Sequence, residues 1–140
     1  MFMVPEQLHE HYYVCEAIRK PLVFMQIVSQ LLAEEKKVLA FCNSIDTVHR
    51  MFTLACLFLK EQEAIIAEYS SSLPAAKRET VMSAFQKGEV RLLISSDNIA
   101  RGVDIPDVGV VVNYDLPSYT ETYIHRSGRT ARASEGGRCV

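Results

Sequence analysis

The run Val38-Leu39-Ala40-Phe41-Cys42 is apolar throughout and turns polar at once, at Asn43-Ser44. Two further runs are nearly as apolar, VRLLI over residues 90–94 and VGVVV over residues 108–112. A strand has such a continuous apolar stretch, rather than an alternating one, when both of its faces are buried, as in a parallel sheet covered by helices. These runs therefore predict the central strands of an α/β fold.

Longer segments with helical periodicity separate these runs, as expected for a parallel sheet with helices on both faces. Gly88 suits the left-handed residue just after a helix, and Ser118 with Glu121 three residues later forms a capping-box pattern. The predicted strands are Tyr12–Cys15, Val38–Cys42, Ala64–Tyr69, Val90–Ser95 and Val108–Asn113, and the predicted helices are Pro21–Ala33, Ile45–Lys60, Pro74–Lys87 and Tyr119–His125.

The composition is that of one compact domain. Of the 140 residues, 49% are hydrophobic and 23% are charged, with six Gly and five Pro, which excludes collagen-like, low-complexity and disordered classes. A core of this size can fold without a disulfide or a metal. Because the segment from Gly137 to Val140 reads as a turn entering a further strand, we expect the chain to be a piece of a longer protein.

Positive charge is scarce overall but concentrated late in the chain. The formal net charge of -2 means that any contact with a polyanion must be local. The segment from His125 to Val140 holds four Arg and one Glu, a local charge of +3. Arginine can grip a phosphate or a carboxylate at two points. A solvated basic tail is the alternative interpretation of the same composition.

The four cysteines, Cys15, Cys42, Cys56 and Cys139, form no C-x-x-C pair. Neither a zinc site nor a disulfide framework is expected from them, and a reducing, intracellular compartment is the default. No apolar stretch approaches the roughly 20 residues that a membrane helix needs, and no leader pattern is present, so we expect a soluble protein.

Polar residues follow three of the predicted strands, at the edge where ligands gather in parallel α/β sheets. They lie within Asn43 to Asp46, Ser95 to Asp104 and His125 to Arg132. Taken singly, each residue has a simpler interpretation. A serine there is commonly a helix cap, an arginine commonly pairs with a nearby carboxylate, a lone histidine is commonly structural, and Gly102 could mark only a turn.

Together, the strings SSDNIARGVD (Ser95 to Asp104) and HRSGRTAR (His125 to Arg132) resemble two signature motifs of superfamily 2 helicases. Specifically, the chain resembles the second RecA-like domain of a DEAD-box RNA helicase from about His11 onward. FCNS (Phe41 to Ser44) is similar to an earlier RNA-contacting motif of the same domain. The resemblance implies an α/β fold of a single RecA-like domain, a parallel sheet with helices on both faces, over residues 1–140.

The resemblance implies a nucleotide site shared between two domains. Arg129 and Arg132 would reach the ATP phosphates as arginine fingers, a role that suits a charged bidentate donor. Asp104 would bind the ribose of ATP. Coupling to the partner domain is assigned to Arg101, His125 and Arg126.

The chain holds no G-x-x-x-x-G-K-[ST] loop and no Asp-Glu-Ala-Asp string. ATP and Mg²⁺ would therefore depend on an N-terminal RecA-like domain outside these 140 residues, which would hold the Mg²⁺. We expect that this chain alone does not hydrolyse ATP.

The resemblance also implies contacts to the RNA backbone that do not depend on base sequence. The residues carried over are Asn43, Ser44, Arg78, Ser96 and Gly102. Ser44 and Ser96 stand where the family usually has threonine, and either hydroxyl can bond a phosphate oxygen. The chain is expected to act as a monomer, without a membrane.

One stretch departs from the family pattern. In YSSSLPAAKR, Ser70-Ser71 replaces a His-Gly pair and Ala75 replaces a glutamine that contacts RNA, whereas Arg78 is retained. This variant is similar to a DEAD-box subgroup that acts in assembly of the large ribosomal subunit. The similarity implies a role in ribosome biogenesis and a nuclear or nucleolar location; otherwise we expect the protein in the cytoplasm.

Two other functions remain open. The protein could instead be another superfamily 2 motor that acts on DNA or on protein complexes, since such motors share these motifs. Comparing how strongly RNA and DNA stimulate the ATPase of the full-length protein would distinguish this motor from an RNA helicase. A non-catalytic docking domain that kept only the fold is the other alternative. Intact Asp104, Arg129 and Arg132 argue against it, because docking needs no phosphate grip.

Overall fold

The computed structural model describes residues 8–96 and 108–128 and the backbone of residues 137–139. The strands within these ranges are β1 (Leu8–Glu10), β2 (Val38–Phe41), β3 (Ile66–Tyr69), β4 (Leu92–Ser95), β5 (Val110–Asn113) and β6 (Gly137–Cys139). The helices are α1 (Lys20–Ala33), α2 (Ile45–Phe58), α3 (Ala75–Gln86) and α4 (Thr120–Ser127). The six described strands form one parallel sheet in the order β1-β6-β5-β2-β4-β3.

The sheet is covered on both faces, as the unbroken apolar runs predict. Because side chains alternate along a strand, β2 sends Val38 and Ala40 to one face and Leu39 and Phe41 to the other. The first face packs on buried residues of α1 and α2, and the second packs on Met82 and Phe85 of α3 and on Tyr123 of α4. The predicted fold class is confirmed.

The register aligns the carboxyl ends of the three central strands. Phe41 of β2 lies opposite Ser95 of β4 on one side and opposite Asn113 of β5 on the other. The three loops that follow these strands therefore begin at the same level of the sheet. This alignment creates the edge on which the candidate site is built.

The element ends show which local signals were reliable. Ser44 caps α2, since its Oγ accepts a hydrogen bond from the Thr47 amide at 3.2 Å, and Gly88 after α3 has the predicted positive φ of 80°. The capping box at Ser118 is wrong. The N-cap residue of α4 is Tyr119, with extended backbone and no side-chain capping bond, so Ser118 lies one residue too early.

The predicted strand Tyr12–Cys15 is also wrong. These residues have no regular structure, and Tyr12 and Val14 are 87% and 90% exposed. Strand propensity produces a strand only where a partner edge is available, and β6 pairs instead with β1, Leu8 opposite Gly137. No helix within the described ranges is long and apolar enough to cross a membrane.

Candidate nucleic-acid interface

Three loops lie side by side at the carboxyl edge of the sheet. The strand pairing continues just past the strands, because the Cys42 amide donates to Ser95 O and the Tyr114 amide donates to Phe41 O, each at 2.9 Å. The loop after β2 therefore runs between the loops that follow β4 and β5. Asn43 and Ser44, which the sequence assigns to RNA binding, lie on this middle loop.

Asn43 is exposed but firmly held. Its backbone amide donates to Asp115 Oδ2 at 2.9 Å, and its side-chain Nδ2 donates to Leu116 O at 2.9 Å. Its Oδ1 accepts a hydrogen bond from Arg126 at 2.7 Å. The backbone and the side chain of Asn43 are thus both fixed against the loop that follows β5.

Arg126 of α4 is 0% exposed and crosses the interior of this edge. Besides Asn43, its guanidinium donates to Asn113 Oδ1 at 3.1 Å and to Asp115 O at 2.8 Å. The guanidinium carbon also lies 5.1 Å from the centre of the Phe41 ring. A buried charge is tolerated only when its donors are satisfied, so these contacts fix the end of α4 to the loops after β2 and β5.

The carboxylate of Asp115 is held from two sides. Lys20 Nζ of α1 donates to Oδ1 at 2.9 Å, opposite the Asn43 amide on Oδ2. Burial alone would raise the pKa of Asp115, but these hydrogen bonds, with the charges of Lys20 and Arg126, outweigh it and lower the pKa below its ordinary value. Asp115 therefore stays ionised beside the exposed loop.

The two predicted RNA-binding serines have different surroundings. The Oγ of Ser44 is engaged with Thr47, at 2.8 Å from Oγ1 as well as in the cap, so Ser44 caps α2 whether or not it also contacts RNA. Ser96 is only 8% exposed, and its Oγ is buried without a hydrogen-bond partner in the described part of the chain. An orphaned buried hydroxyl calls for an explanation.

The other predicted residues lie elsewhere or outside the described ranges. Arg78 lies near the start of α3 beside a surface depression of about 340 Å³, and its buried Nε has no hydrogen-bond partner among the described residues. His125 is half-buried on α4, next to Arg126. The remaining site residues, Arg101, Gly102, Asp104, Arg129 and Arg132, lie outside the described residues.

Three residues of this edge were missed from the sequence: Lys20, Asn113 and Asp115. Asn113 and Asp115 carried a usable signal, since they are polar residues that directly follow the apolar run of β5. Lys20 carried none, because its partner Asp115 is 95 residues away.

The comparisons with known proteins identify the domain. The profile of the family described as "Helicase conserved C-terminal domain" matches residues 20–134. The chain belongs to this family, and the relatives that it matches are named as ATP-dependent RNA helicases, some of them as DEAD-box proteins. It is 42% identical over 136 residues to the zebrafish (Danio rerio) ATP-dependent RNA helicase DDX51, with 97% of this chain and 20% of that protein covered. The chain spans about a fifth to a quarter of the length of the curated relatives it matches.

Solved structures give the same result. Saccharomyces cerevisiae Dbp5 bound to RNA and ADP BeF3 superposes with a TM-score of 0.78 at 27% identity, over 97% of this chain and 34% of that one. Domain 2 of the Mss116p DEAD-box helicase, bound to an RNA duplex, gives a TM-score of 0.76 at 26% identity, over 95% and 51%. The predicted resemblance to the second RecA-like domain of a DEAD-box helicase is confirmed.

Proposed function

We propose that this chain is the C-terminal half of the motor of an ATP-dependent RNA helicase, and that its carboxyl edge is half of an RNA track. The observation that carries the proposal is the hydroxyl of Ser96, which is buried and has no hydrogen-bond partner in the described part of the chain. Ser96 follows the Ser95 carbonyl that accepts from the Cys42 amide, and Cys42 lies two residues before Ser44, the cap at the amino end of α2. Helix N-termini attract anions. A phosphate oxygen seated there would satisfy Ser96 and meet the positive end of the helix dipole.

We expect the contacts at this edge to be to the RNA backbone. Asn43 and Ser44 are exposed, Ser96 would donate its hydroxyl, and Arg78 and Gly102 would extend the same track. Such groups position a sugar-phosphate chain without reading bases, so we expect binding that is independent of sequence. The solved relatives bound to RNA support this proposal.

For the nucleotide, Arg129 and Arg132 would act as arginine fingers on the ATP phosphates and Asp104 would hold the ribose. Arg126 supports this assignment, because it fixes the last turn of α4, which ends at Ser127, two residues before Arg129. The N-terminal domain would hold Mg²⁺ and the rest of the nucleotide. The use of ATP is supported by the relatives named as ATP-dependent and by the ADP BeF3 complex.

Closure of the two domains on ATP and RNA would bend one RNA strand and expel its complement. Arg101, His125 and Arg126 would couple nucleotide state to closure. Because Arg126 also holds Asn43, a single buried side chain would connect the RNA loop to the finger segment. Hydrolysis and phosphate release would reopen the cleft.

We base the proposed biological role on the similarity of this sequence to one DEAD-box subgroup. The variant around Ser70-Ser71 favours a role in ribosome biogenesis, in the assembly of the large subunit, and hence a nuclear or nucleolar location. The protein is proposed to act as a monomer on RNA together with its own N-terminal domain.

The test is RNA-stimulated ATPase of the whole protein, with single-stranded RNA and DNA of the same sequence. We expect stimulation by RNA. Ser96→Ala should raise the RNA concentration for half-maximal activity by about tenfold, as expected for the loss of a hydrogen bond to a charged group. Ser95→Ala is the matched control, because the Ser95 hydroxyl already donates to Ser96 O at 2.8 Å. Equal stimulation by DNA, or no effect of Ser96→Ala, would contradict the proposal.

A further inference from the structure

The loop that carries Asn43 depends on two residues that no motif singles out. We infer that Lys20 and Asp115 are positioning residues for RNA: Asp115 fixes the backbone of the Asn43-Ser44 loop, and Lys20 fixes and neutralises Asp115. This inference rests on the proposed function, since it assigns the two residues a part in the same RNA track.

The first step is the contact between Asp115 and the loop. Asn43 makes two side-chain bonds, but its backbone amide is held by Asp115 Oδ2 alone, at 2.9 Å. This bond joins residues 72 positions apart and lies one residue before the helix cap at Ser44. Without it, the loop would keep its side-chain anchors but lose the contact that orients its peptide.

The second step is that Lys20 is itself held in place. Its Nζ lies 2.9 Å from Asp115 Oδ1 and 4.3 Å from the centre of the Tyr114 ring. The Tyr114 ring meets buried Phe24 of α1 edge-on, with ring centres 5.2 Å apart. The lysine is therefore fixed by a cation–π contact and an ion pair.

The ion pair of Lys20 and Asp115 is less exposed than the ordinary surface pair on the preceding turn, Arg19 and Glu16. Arg19 and Glu16 are 3.8 Å apart with side chains 72% and 75% exposed, whereas Lys20 and Asp115 are 38% and 22% exposed. Exposed ion pairs contribute little to stability, so the Lys20–Asp115 pair is the stronger of the two. It is also joined to the loop proposed to contact RNA, since Asp115 accepts a hydrogen bond from the Asn43 amide.

The consequence is electrostatic as well as geometric. Lys20 Nζ lies 2.9 Å from Asp115 Oδ1, so without Lys20 the Asp115 carboxylate would lose its ion-pair partner and its negative charge would oppose the incoming phosphates. A purely structural ion pair would not have this effect. An uncharged residue at position 115 that still accepts the Asn43 amide should therefore rescue RNA binding in the absence of Lys20.

The experiment is RNA-stimulated ATPase of the whole protein with an unstructured oligouridine. Lys20→Met and Asp115→Ala should each raise the half-saturating RNA concentration by about tenfold, the value of a hydrogen bond to a charged group. The turnover at saturating RNA should stay within about twofold, because Arg126 still holds α4. Arg19→Met, the matched control, should change neither quantity.

Conservative variants separate positioning from folding. Lys20→Arg and Asp115→Asn should stay within about threefold of wild type, since each keeps a hydrogen-bonding partner. Adding Asp115→Asn to Lys20→Met should recover most of the lost affinity. If Lys20→Met does not fold, Asp115→Ala against Asp115→Asn tests the bond to the Asn43 amide, and Lys20→Gln against Lys20→Arg tests the charge at position 20.

Two results would overturn the inference alone: wild-type stimulation with unchanged half-saturation in Lys20→Met and Asp115→Ala, or a loss that the double variant does not relieve. No stimulation of the wild-type protein by RNA would instead overturn the proposed function, and this inference with it.

Discussion

Arg126 is the residue on which the carboxyl edge most depends. A guanidinium with 0% exposure needs acceptors for its fork, and it finds oxygens of Asn43, Asn113 and Asp115 within 3.1 Å. The sequence indicated an arginine-rich segment but not that this arginine points inward. Its burial was not predictable, because the acceptors come from two other loops.

Arg126→Lys tests this arrangement. A lysine keeps the charge but lacks the planar fork that reaches several acceptors, so buried oxygens would lose their donors. We expect the free energy of unfolding, measured in urea, to fall by about 2–3 kcal/mol. Arg91→Lys is the control, since Arg91 makes one described side-chain bond, to Leu32 O. Equal losses for the two variants would contradict this account of Arg126.

Cys42 is buried, whereas Cys15 is exposed. Burial, with a smaller contribution from the Asp115 charge, raises the pKa of Cys42 to about 12. Because the thiolate is the reactive form and a raised pKa keeps the thiol protonated below that value, Cys42 should not react in the native protein between pH 7 and pH 10. Cys15 should react readily.

The measurement is alkylation followed by mass mapping of each cysteine, native and in denaturant. In denaturant, Cys42 should be alkylated as fast as Cys15. Rapid alkylation of Cys42 in the native protein, with a rate that increases through pH 8–9, would contradict the burial of this thiol.

At the scale of elements, the long apolar runs predicted the central strands, whereas the end signals gave mixed results, correct at Gly88 and wrong at Ser118. The runs that became β2, β4 and β5 were predicted to within two residues at each end. Ala64–Tyr69 was predicted two residues too long, because Lys60–Ile65 form a 3-10 turn first. The strand at Tyr12–Cys15 failed because pairing, which a local pattern does not encode, decides which residues form a strand.

The end of α1 offers a test that the sequence did not signal. Glu35 has φ 59°, a left-handed conformation that disfavours residues with a Cβ. Glu35→Gly should raise the free energy of unfolding by about 0.5–1 kcal/mol. Gly88, with φ 80° at the end of α3, is the reciprocal control.

Gly88→Ala should lower the free energy of unfolding by about 1 kcal/mol, although space around Gly88 is open. Thermal or urea unfolding of both variants measures the pair. Destabilisation by Glu35→Gly would mean that this backbone conformation carries no strain that glycine can relieve.

At the scale of the whole molecule, the chain is a helicase C-terminal domain, and we propose that its chemistry is shared with another domain. The arginine motif and FCNS indicated the family from sequence, because they are local strings. The network of Lys20, Asp115, Asn43 and Arg126 could not be predicted, because it assembles side chains from three separated parts of the chain. The residues proposed to touch ligands lie in motifs that can be recognised locally, whereas the contacts that hold these loops together depend on the fold.

The most direct test of the account is ATP hydrolysis by this chain alone and joined to the N-terminal domain of its own protein. We predict no turnover by the chain alone, and RNA-stimulated turnover by the joined protein that Arg129→Ala abolishes while ATP and RNA still bind. Hydrolysis by the chain alone, or full activity of the joined protein with Arg129→Ala, would contradict the assignment of arginine fingers to a divided site.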